Sequence, residues 1–322
     1  MTNLQLLSLI TTNFKEIIQE DKKNILYLLY YSAIESILLL VSPLTSAFII
    51  NSVLAHATVS IYAMAFIVII IFFIISALQV LKSYMIEKFE QKIFVNKAIE
   101  ISKLAVDNKS NRDHENIDKY MNYFFDVISI QKLFPNLLLA GSALFVKLII
   151  SLILLLIFDV SLFALGVFFI VLFSIIMIIL GREGPRLATE RSNAKHEAIF
   201  FIQDIPSSND TPEEIYTNLD ALLVDFVKRR NSIFSVIIKQ LSLSYFSEGL
   251  ILSSFFILGG YLVFQGVMPI GEFVAAEIIV ISITYTMKDF IKQIDYIYDS
   301  FEGFYKIDRL SNTLGKEKNS DA

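Results

Sequence analysis

The sequence predicts an all-α membrane protein with six transmembrane helices and two long cytoplasmic helical hairpins. Three observations support this fold class: six long apolar runs, a one-sided distribution of Lys and Arg, and two polar connections that are much longer than the others. The 322 residues are 55% hydrophobic and 18% charged, whereas soluble domains carry about 25% charged residues. The chain therefore has too little polar surface to cover a water-soluble globule.

Six apolar runs approach or exceed the length of roughly 20 residues that a helix needs to cross the hydrocarbon core of a bilayer. Gly259, Gly260, Gly266 and Pro269 mark a turn between the last two runs. The predicted spans are residues 25–50, 60–81, 137–158, 160–180, 249–265 and 268–287.

Basic residues give the orientation of these spans. Four polar segments carry 26 of the 27 Lys and Arg residues, and the opposite connections near 51–59, 159 and 266–267 carry none. Because Lys and Arg are retained on the cytoplasmic side, both termini are expected there. High Ile, Asn and Lys usage suggests an AT-rich bacterial genome, so we expect the bacterial inner membrane. The basic segments are residues 1–24, 82–136, 181–248 and 288–322.

The two long inner connections have a helical pattern interrupted by short polar strings. Residues 85–106 and 115–133 flank a turn-forming string at 107–113. In the second connection a helical arm from 181 to 201 precedes a break at 206–210, and Thr211, a Pro and two acids then favour a new helix. Arms of about 20 residues would project roughly 30 Å beyond the bilayer.

The remaining segments complete the predicted domain organisation. Residues 4–19 suggest an amphipathic helix in the membrane interface, within an N-terminal segment at 1–24. The six-helix membrane domain is assigned to residues 25–310, and a polar tail to 311–322.

Three charged residues inside the predicted spans are candidates for a substrate cavity. Glu35 and Lys147 each lie about ten residues, or roughly 15 Å, from the cytoplasmic end of their spans. An unpaired charge at this depth costs at least about 3 kcal/mol. We therefore expect Glu35 and Lys147 to face a polar cavity or one another, with Glu277 as a further candidate. The alternative is a helix–helix pair that serves packing alone.

The chain carries no pattern that indicates catalysis of its own. It has no Cys, and His56, His114 and His196 are scattered along the sequence, so no metal site is expected. Phosphate binding by a Gly-rich loop requires G-x-x-x-x-G-K-[ST], whereas Gly315-Lys316 is followed by Glu317. We expect no enzymatic activity, no cofactor in this chain and no nucleic-acid partner.

The layout of spans and stalks resembles the transmembrane domain of type I ABC exporters. The local resemblance is clearest in GYLVFQGVMPIGEFVAA at 260–276 and in KIDRL at 306–310, where that family's sixth span leads toward its ATPase domain. The resemblance implies a domain-swapped homo- or heterodimer in the lipid bilayer, with ATP bound by a separately encoded ATPase subunit. It also implies two docking tips, made of Asp107, Asn108, Ser110, Asn111, Arg112 and Asp113 in the first hairpin and of Gln203, Asp204, Pro206, Ser207 and Ser208 in the second.

Two functions are compatible with these features. The first is a permease subunit of an ABC-type exporter that moves an amphipathic, lipid-like or peptide substrate. The second is a membrane scaffold or regulator that has the exporter-like fold but needs no ATPase. The tip string at 203–206, which differs from the family's usual Glu- and Gly-containing string, favours the second.

A secondary carrier is less favoured, because no inverted repeat or broken helix pair is visible. An ATPase domain could also belong to a longer form of the chain.

Overall fold

The computed structural model describes residues 22–56, 59–107 and 141–299, and this part of the chain is almost entirely helical. The expected interfacial helix at 4–19, the first hairpin tip beyond residue 107 and the tail at 311–322 lie outside the described residues. The helices are α1 (Lys22–Leu39), α2 (Val41–Leu54), α3 (Val59–Asp107), α4 (Gly141–Phe158), α5 (Val160–Gly181), α6 (Gly184–Asp204), α7 (Pro212–Phe264) and α8 (Ile270–Lys292), with a 3₁₀ turn at Ile205–Ser207 and a helical continuation of α8 at 294–299.

Six helices are long and apolar enough to span a membrane, which confirms the prediction of an integral membrane protein with six spans. Helices α1 and α2 together form the first span, and α3, α4, α5, α7 and α8 provide the other five. The spans also expose large apolar side chains, such as Phe73 (77% exposed) and Ile257 (76%). Exposure of such side chains to lipid costs no free energy, whereas exposure to water is unfavourable.

Two helices are much longer than a bilayer is thick. Helix α3 has 49 residues and α7 has 53, so at 1.5 Å per residue they measure about 74 and 80 Å. A hydrocarbon core of about 30 Å accommodates less than half of either length. Each helix therefore continues from a membrane span into a polar extension, as the two long inner connections predicted.

The first span is broken near its middle by a proline. Pro43 lacks a backbone N–H, and its ring conflicts with the carbonyl group of Leu39 one turn earlier. Helix α1 ends at Leu39 and α2 begins at Val41. The Leu44 N–H still donates to the Leu40 carbonyl at 3.3 Å, so the two helices form one bent span.

The turn between the last two spans is shorter than the positions of Gly259 and Gly260 suggested. Gly259 and Gly260 belong to α7, which continues to Phe264, and the turn occupies residues 265–269. Gly266 provides the positive φ of 70° that the turn requires. Gly259 has a packing role instead, because a Cβ at this position would lie 2.6 Å from the Phe273 ring on α8.

Helix α8 is the most buried of the six candidate spans. It packs against α2 and α7, and α7 also packs against α5. At Gly271 a Cβ would lie 2.6 Å from the Ala47 carbonyl oxygen, so α8 and α2 approach closely at a small residue. The central apolar cluster includes Leu155, Leu162, Phe169, Phe255 and Ile279.

Helices α6 and α7 form the predicted second hairpin. The 3₁₀ turn Ile205–Ser207 and an exposed loop separate them, and α7 begins with a capping box. There the Thr211 hydroxyl accepts from the Glu214 N–H, and the Glu214 carboxylate accepts from the Thr211 N–H at 3.0 Å. We call the end of the bundle with this hairpin the stalk end. The opposite end, with the short connections near residues 56, 159 and 265–269, is the loop end.

Candidate functional site

Glu35 lies in a buried polar cluster between α1 and α3. Its carboxylate accepts a hydrogen bond from Gln79 Nε2 at 2.9 Å and forms an ion pair with Lys82. Glu35 is 8% exposed and Lys82 is 7% exposed. A paired and hydrogen-bonded charge is far cheaper in a low-dielectric environment than a lone one. The principal role of this contact is therefore to hold α1 against α3.

Lys147 lies on α4 and faces α8. Its ammonium group donates a hydrogen bond to the Thr286 hydroxyl at 2.7 Å, and that hydroxyl donates in turn to the Ser282 carbonyl. The structure thus gives Glu35 and Lys147 different hydrogen-bond partners.

Two serine hydroxyls near this cluster are fully buried. Ser32 precedes Glu35 by about one turn of α1, and Ser151 follows Lys147 by one turn of α4. Within the described residues neither hydroxyl has a hydrogen-bond partner. Ser36 hydrogen-bonds the Ser32 carbonyl and reaches the Ala143 carbonyl on α4 at 3.5 Å. Small polar side chains therefore line the contact between α1 and α4.

Glu277 lies apart from this cluster, in a cleft between α5, α7 and α8. The cleft is narrow, with a volume of about 10 Å³, and Glu277 is the only polar side chain that lines it. In the described part of the chain, no hydrogen bond or ion pair involves this carboxylate. The structure therefore does not bring Glu277 into direct contact with Glu35 or Lys147, and the shared substrate cavity stays a prediction.

The candidate docking tip of the second hairpin is solvent-exposed. Asp107 is the last residue of α3, and the other candidates of the first tip lie outside the described residues. In the second tip the exposed candidates are Gln203, Asp204, Pro206, Ser207 and Ser208. A docking role for either tip stays a prediction.

An ion-pair network joins the second hairpin to the stalk end of α8. Arg191 on α6, which is 8% exposed, pairs with Asp299 and Asp295, and Arg230 on α7 binds both oxygens of Asp295 at 3.2 and 3.0 Å. Such two-point guanidinium–carboxylate contacts restrain orientation as well as distance. Both arms of the hairpin are thus connected to the helix that continues from the sixth span.

A buried tyrosine supports the same junction. The Tyr298 hydroxyl donates to Gln240 Oε1 at 3.1 Å, and Gln240 Nε2 donates to the Met177 carbonyl at 3.4 Å. The Tyr298 ring lies directly against Gly184 at the start of α6, where a Cβ would overlap it. Ala188, Ile233, Ile237 and Ile294 complete a small apolar core around this ring.

Comparison with models of protein families and with curated proteins gives no match for this chain. The fold and the contacts above are therefore the basis for functional reasoning. In the described ranges, no group of three or more His, Asp or Glu side chains could hold a metal ion.

Sequence reasoning missed several residues that form these contacts. Lys82 was assigned to the inner connection rather than to a span, although it follows Gln79 by one helical turn and so shares a face with it. The Asp295 and Asp299 pair also has a spacing of four residues, which places both on one face of the α8 continuation. Their partners Arg191 and Arg230 lie far away in sequence and gave no local signal.

Proposed function

We propose that the chain is the membrane-spanning permease subunit of an ABC-type exporter that works with a separately encoded ATPase. The resemblance to the transmembrane domain of type I ABC exporters in layout and at residues 260–276 supports this proposal. A stalk that receives movement from an ATPase must be rigid, must reach beyond the lipid and must be attached to a span. The second hairpin meets these three conditions.

The lengths of α6 and α7 give the distance that the second hairpin spans. Helix α6 has 21 residues, which corresponds to about 31 Å. Its partner α7 is continuous from the hairpin tip to the loop end of the bundle. A displacement of the tip would therefore be carried into the membrane along one unbroken helix.

The single observation that carries the proposal is the attachment of this hairpin to the sixth span. Arg191 and Arg230 come from the two arms of the hairpin and share Asp295 beyond α8. Because α8 packs against α2 and α7, a movement of the hairpin would be transmitted to both of these helices. A passive anchor would need only an isolated span. The connection therefore favours a role in force transmission.

The substrate path would lie among the spans. The buried polar contacts of Glu35 and Lys147 and the cleft at Glu277 supply polar groups within otherwise apolar surroundings, as an amphipathic, lipid-like or peptide substrate would need. A dimer, domain-swapped as in the resembling family, is part of this proposal. The bacterial inner membrane with both termini in the cytoplasm is the corresponding location and orientation.

The test is co-purification of the tagged chain with the ATPase subunit encoded beside it, followed by ATP-dependent transport in proteoliposomes. Asp204→Lys at the exposed tip should abolish both recovery of the ATPase subunit and transport. Asp220→Lys is the matched control, because Asp220 is also exposed but lies about 12 Å from the start of α7, away from the tip.

Equal recovery of the ATPase with both variants would contradict docking at this tip. If no subunit with a Gly-rich phosphate-binding loop is recovered and the chain elutes as a monomer in detergent, the permease proposal is wrong. The ATPase-independent scaffold or regulator would then be the better description.

A further inference from the structure

The boundary between α5 and α6 is a break between two helices that follow each other directly. Helix α5 ends at Gly181 and α6 begins at Gly184, with a turn at residues 182 and 183. The 22 residues of α5 measure about 33 Å, close to the hydrocarbon thickness of about 30 Å. The break therefore lies where the chain passes from a membrane span into the second hairpin.

Pro185 accounts for this break. It has no N–H group that could donate to the carbonyl oxygen of Gly181 one turn earlier, and its ring conflicts with that carbonyl. The Arg182 N–H instead reaches the Ile179 carbonyl, three residues back, at 3.5 Å. Sharp bends in helices occur at prolines of this kind. The backbone at residues 181–185 is therefore the place where α6 can turn relative to α5.

The Tyr298 ring fills the space beside the break. A Cβ on Gly184 would overlap this ring, and a Cβ on Gly181 would lie 3.0 Å from the Tyr298 hydroxyl oxygen. Both positions therefore need a glycine for the tyrosine to approach the backbone this closely. Tyr298 is 4% exposed and belongs to the helical continuation of α8. A side chain from beyond the sixth span is thus inserted at the start of the hairpin.

Hydrogen bonds hold the ring in this position. The Tyr298 hydroxyl donates to Gln240 Oε1 at 3.1 Å, and Gln240 Nε2 donates to the Met177 carbonyl at 3.4 Å. Gln240 is buried, and a buried polar group that loses its partner costs about 1–3 kcal/mol. These contacts connect α5, α7 and the continuation of α8 around the break, and they restrain the orientation of the ring.

A neighbouring ion pair connects the same segment to the hairpin further along α6. Arg191 lies two turns after Gly184 and pairs with Asp299, the residue after Tyr298. Segment 294–299 thus contacts α6 twice, through a ring at the break and through a carboxylate two turns beyond it. Because Tyr298 and Asp299 are consecutive, a withdrawal of this segment would remove both contacts together.

We propose that Tyr298 is a latch that sets the angle between α5 and α6. While the ring lies against Gly184, the backbone at the proline is held in one geometry. When segment 294–299 withdraws, the ring leaves Gly184 and α6 is free to pivot about residues 181–185. Tyr298 is therefore a positioning residue that couples the angle of the second hairpin to the end of the sixth span. The latch belongs to this chain alone and needs no ATPase subunit.

The test measures the distance between α5 and α6 by double electron–electron resonance in the purified full chain in dodecyl maltoside. The chain contains no Cys, so Ser174→Cys on α5 and Asn193→Cys on α6, both exposed, provide the only sites for nitroxide labels. Along a straight helix these positions lie about 28 Å apart. Dilution with unlabelled chain removes distances between the two copies of a dimer. The chain with Tyr298 should give one narrow distance distribution.

Replacements of tyrosine test the ring. Tyr298→Ala should broaden the distribution about twofold, because nothing then holds the bend at the proline. Tyr296→Ala is the matched control, since Tyr296 lies on the same segment but is 59% exposed, and it should leave the width unchanged. Tyr298→Phe keeps the ring and should retain the narrow distribution, although it removes a hydrogen bond of buried Gln240 and lowers the unfolding midpoint. Retained width with lowered stability distinguishes a latch from a merely stabilising contact.

Replacements of glycine test the space that the ring occupies while Tyr298 is kept. Gly184→Ala forces the ring away from the break and should broaden or shift the distribution. Gly249→Ala on α7 is the control, because nothing lies within 4 Å of a Cβ at this position. Gel filtration checks that each variant is folded, and the glycine pair provides the test if Tyr298→Ala is not.

Equal widths and mean distances for the wild type, Tyr298→Ala and Gly184→Ala would overturn the latch. A distribution as broad for Tyr298→Phe as for Tyr298→Ala would also overturn it, because the ring would then have no role of its own. These outcomes are distinct from a failure of the export proposal, which depends on recovery of the ATPase subunit and on transport.

Discussion

The stalk end and the loop end of this bundle differ in whether their charged side chains are paired. At the stalk end Arg191 and Arg230 are paired with carboxylates from another helix, and Glu35 is paired with Lys82 deeper in the bundle. At the loop end Glu277 is left without a partner in the described structure. Paired charges restrain the helices of the stalk end, whereas Glu277 restrains no neighbour among the described residues. The variants below test this difference, in order of decreasing expected effect.

The largest effect should come from removing the cation beside Glu35. Lys82→Met leaves a buried carboxylate with Gln79 as its remaining partner, so the free energy of unfolding should fall by about 3–5 kcal/mol. Unfolding in detergent, followed by circular dichroism during titration with sodium dodecyl sulfate, measures the change. Lys88→Met on the exposed surface of α3 is the control and should change stability by no more than about 0.5 kcal/mol. Equal effects of the two variants would mean that the Glu35 pair is not structural.

Glycine-to-alanine changes compare the packing of the two ends directly. Gly184→Ala at the stalk end forces a Cβ into the Tyr298 ring, and such overpacking should cost about 1–3 kcal/mol. Gly260→Ala at the loop end meets no atom within 4 Å and should stabilise the helix by about 0.5–1 kcal/mol. The same unfolding titration measures both. Effects of the same sign would contradict the close packing of Tyr298.

The ion pairs of the hairpin should contribute less to stability than the buried Glu35 pair. Their carboxylates, Asp295 and Asp299, are each 34% exposed, so water screens these pairs in part. Arg191→Met should lower the free energy of unfolding by about 2 kcal/mol, since charge-assisted hydrogen bonds contribute about 1.5–3 kcal/mol. Arg186→Met, whose side chain is 55% exposed, should change it by less than about 0.5 kcal/mol. Limited proteolysis of the hairpin should accelerate for Arg191→Met alone. Unchanged proteolysis would show that the hairpin is not held by Arg191.

The smallest effect should come from replacing Glu277, and the same replacement at Glu35 provides the contrast. Glu277→Leu removes a carboxylate that has no partner among the described residues and should raise the free energy of unfolding by about 1 kcal/mol, whereas Glu35→Leu strands Lys82 and should lower it. Thermal unfolding in detergent gives the sign of each change. A loss of stability in Glu277→Leu would indicate that this carboxylate has a structural partner.

The number and approximate position of the spans could be predicted because hydrophobicity is a local property of each segment. The polar extensions of α3 and α7 were also foreseen from helical periodicity, and Thr211 marked the start of α7. The break at Leu40 was missed although Pro43 signals it, because the apolar run continues through it. The glycines at 259 and 260 were misleading, because both belong to α7 and Gly259 serves close packing against Phe273 rather than a turn.

The sequence by itself indicated six segments that are long and apolar enough to span a membrane, and it marked which charges lie within or near them. Only the tertiary structure decided their partners: Glu35 with Lys82 at a separation of 47 residues, Lys147 with Thr286, and Glu277 with none among the described residues. The reason is geometric. Hydropathy shows that a helix is in lipid, but its rotation about its own axis, which selects the facing neighbour, depends on how all six spans pack together.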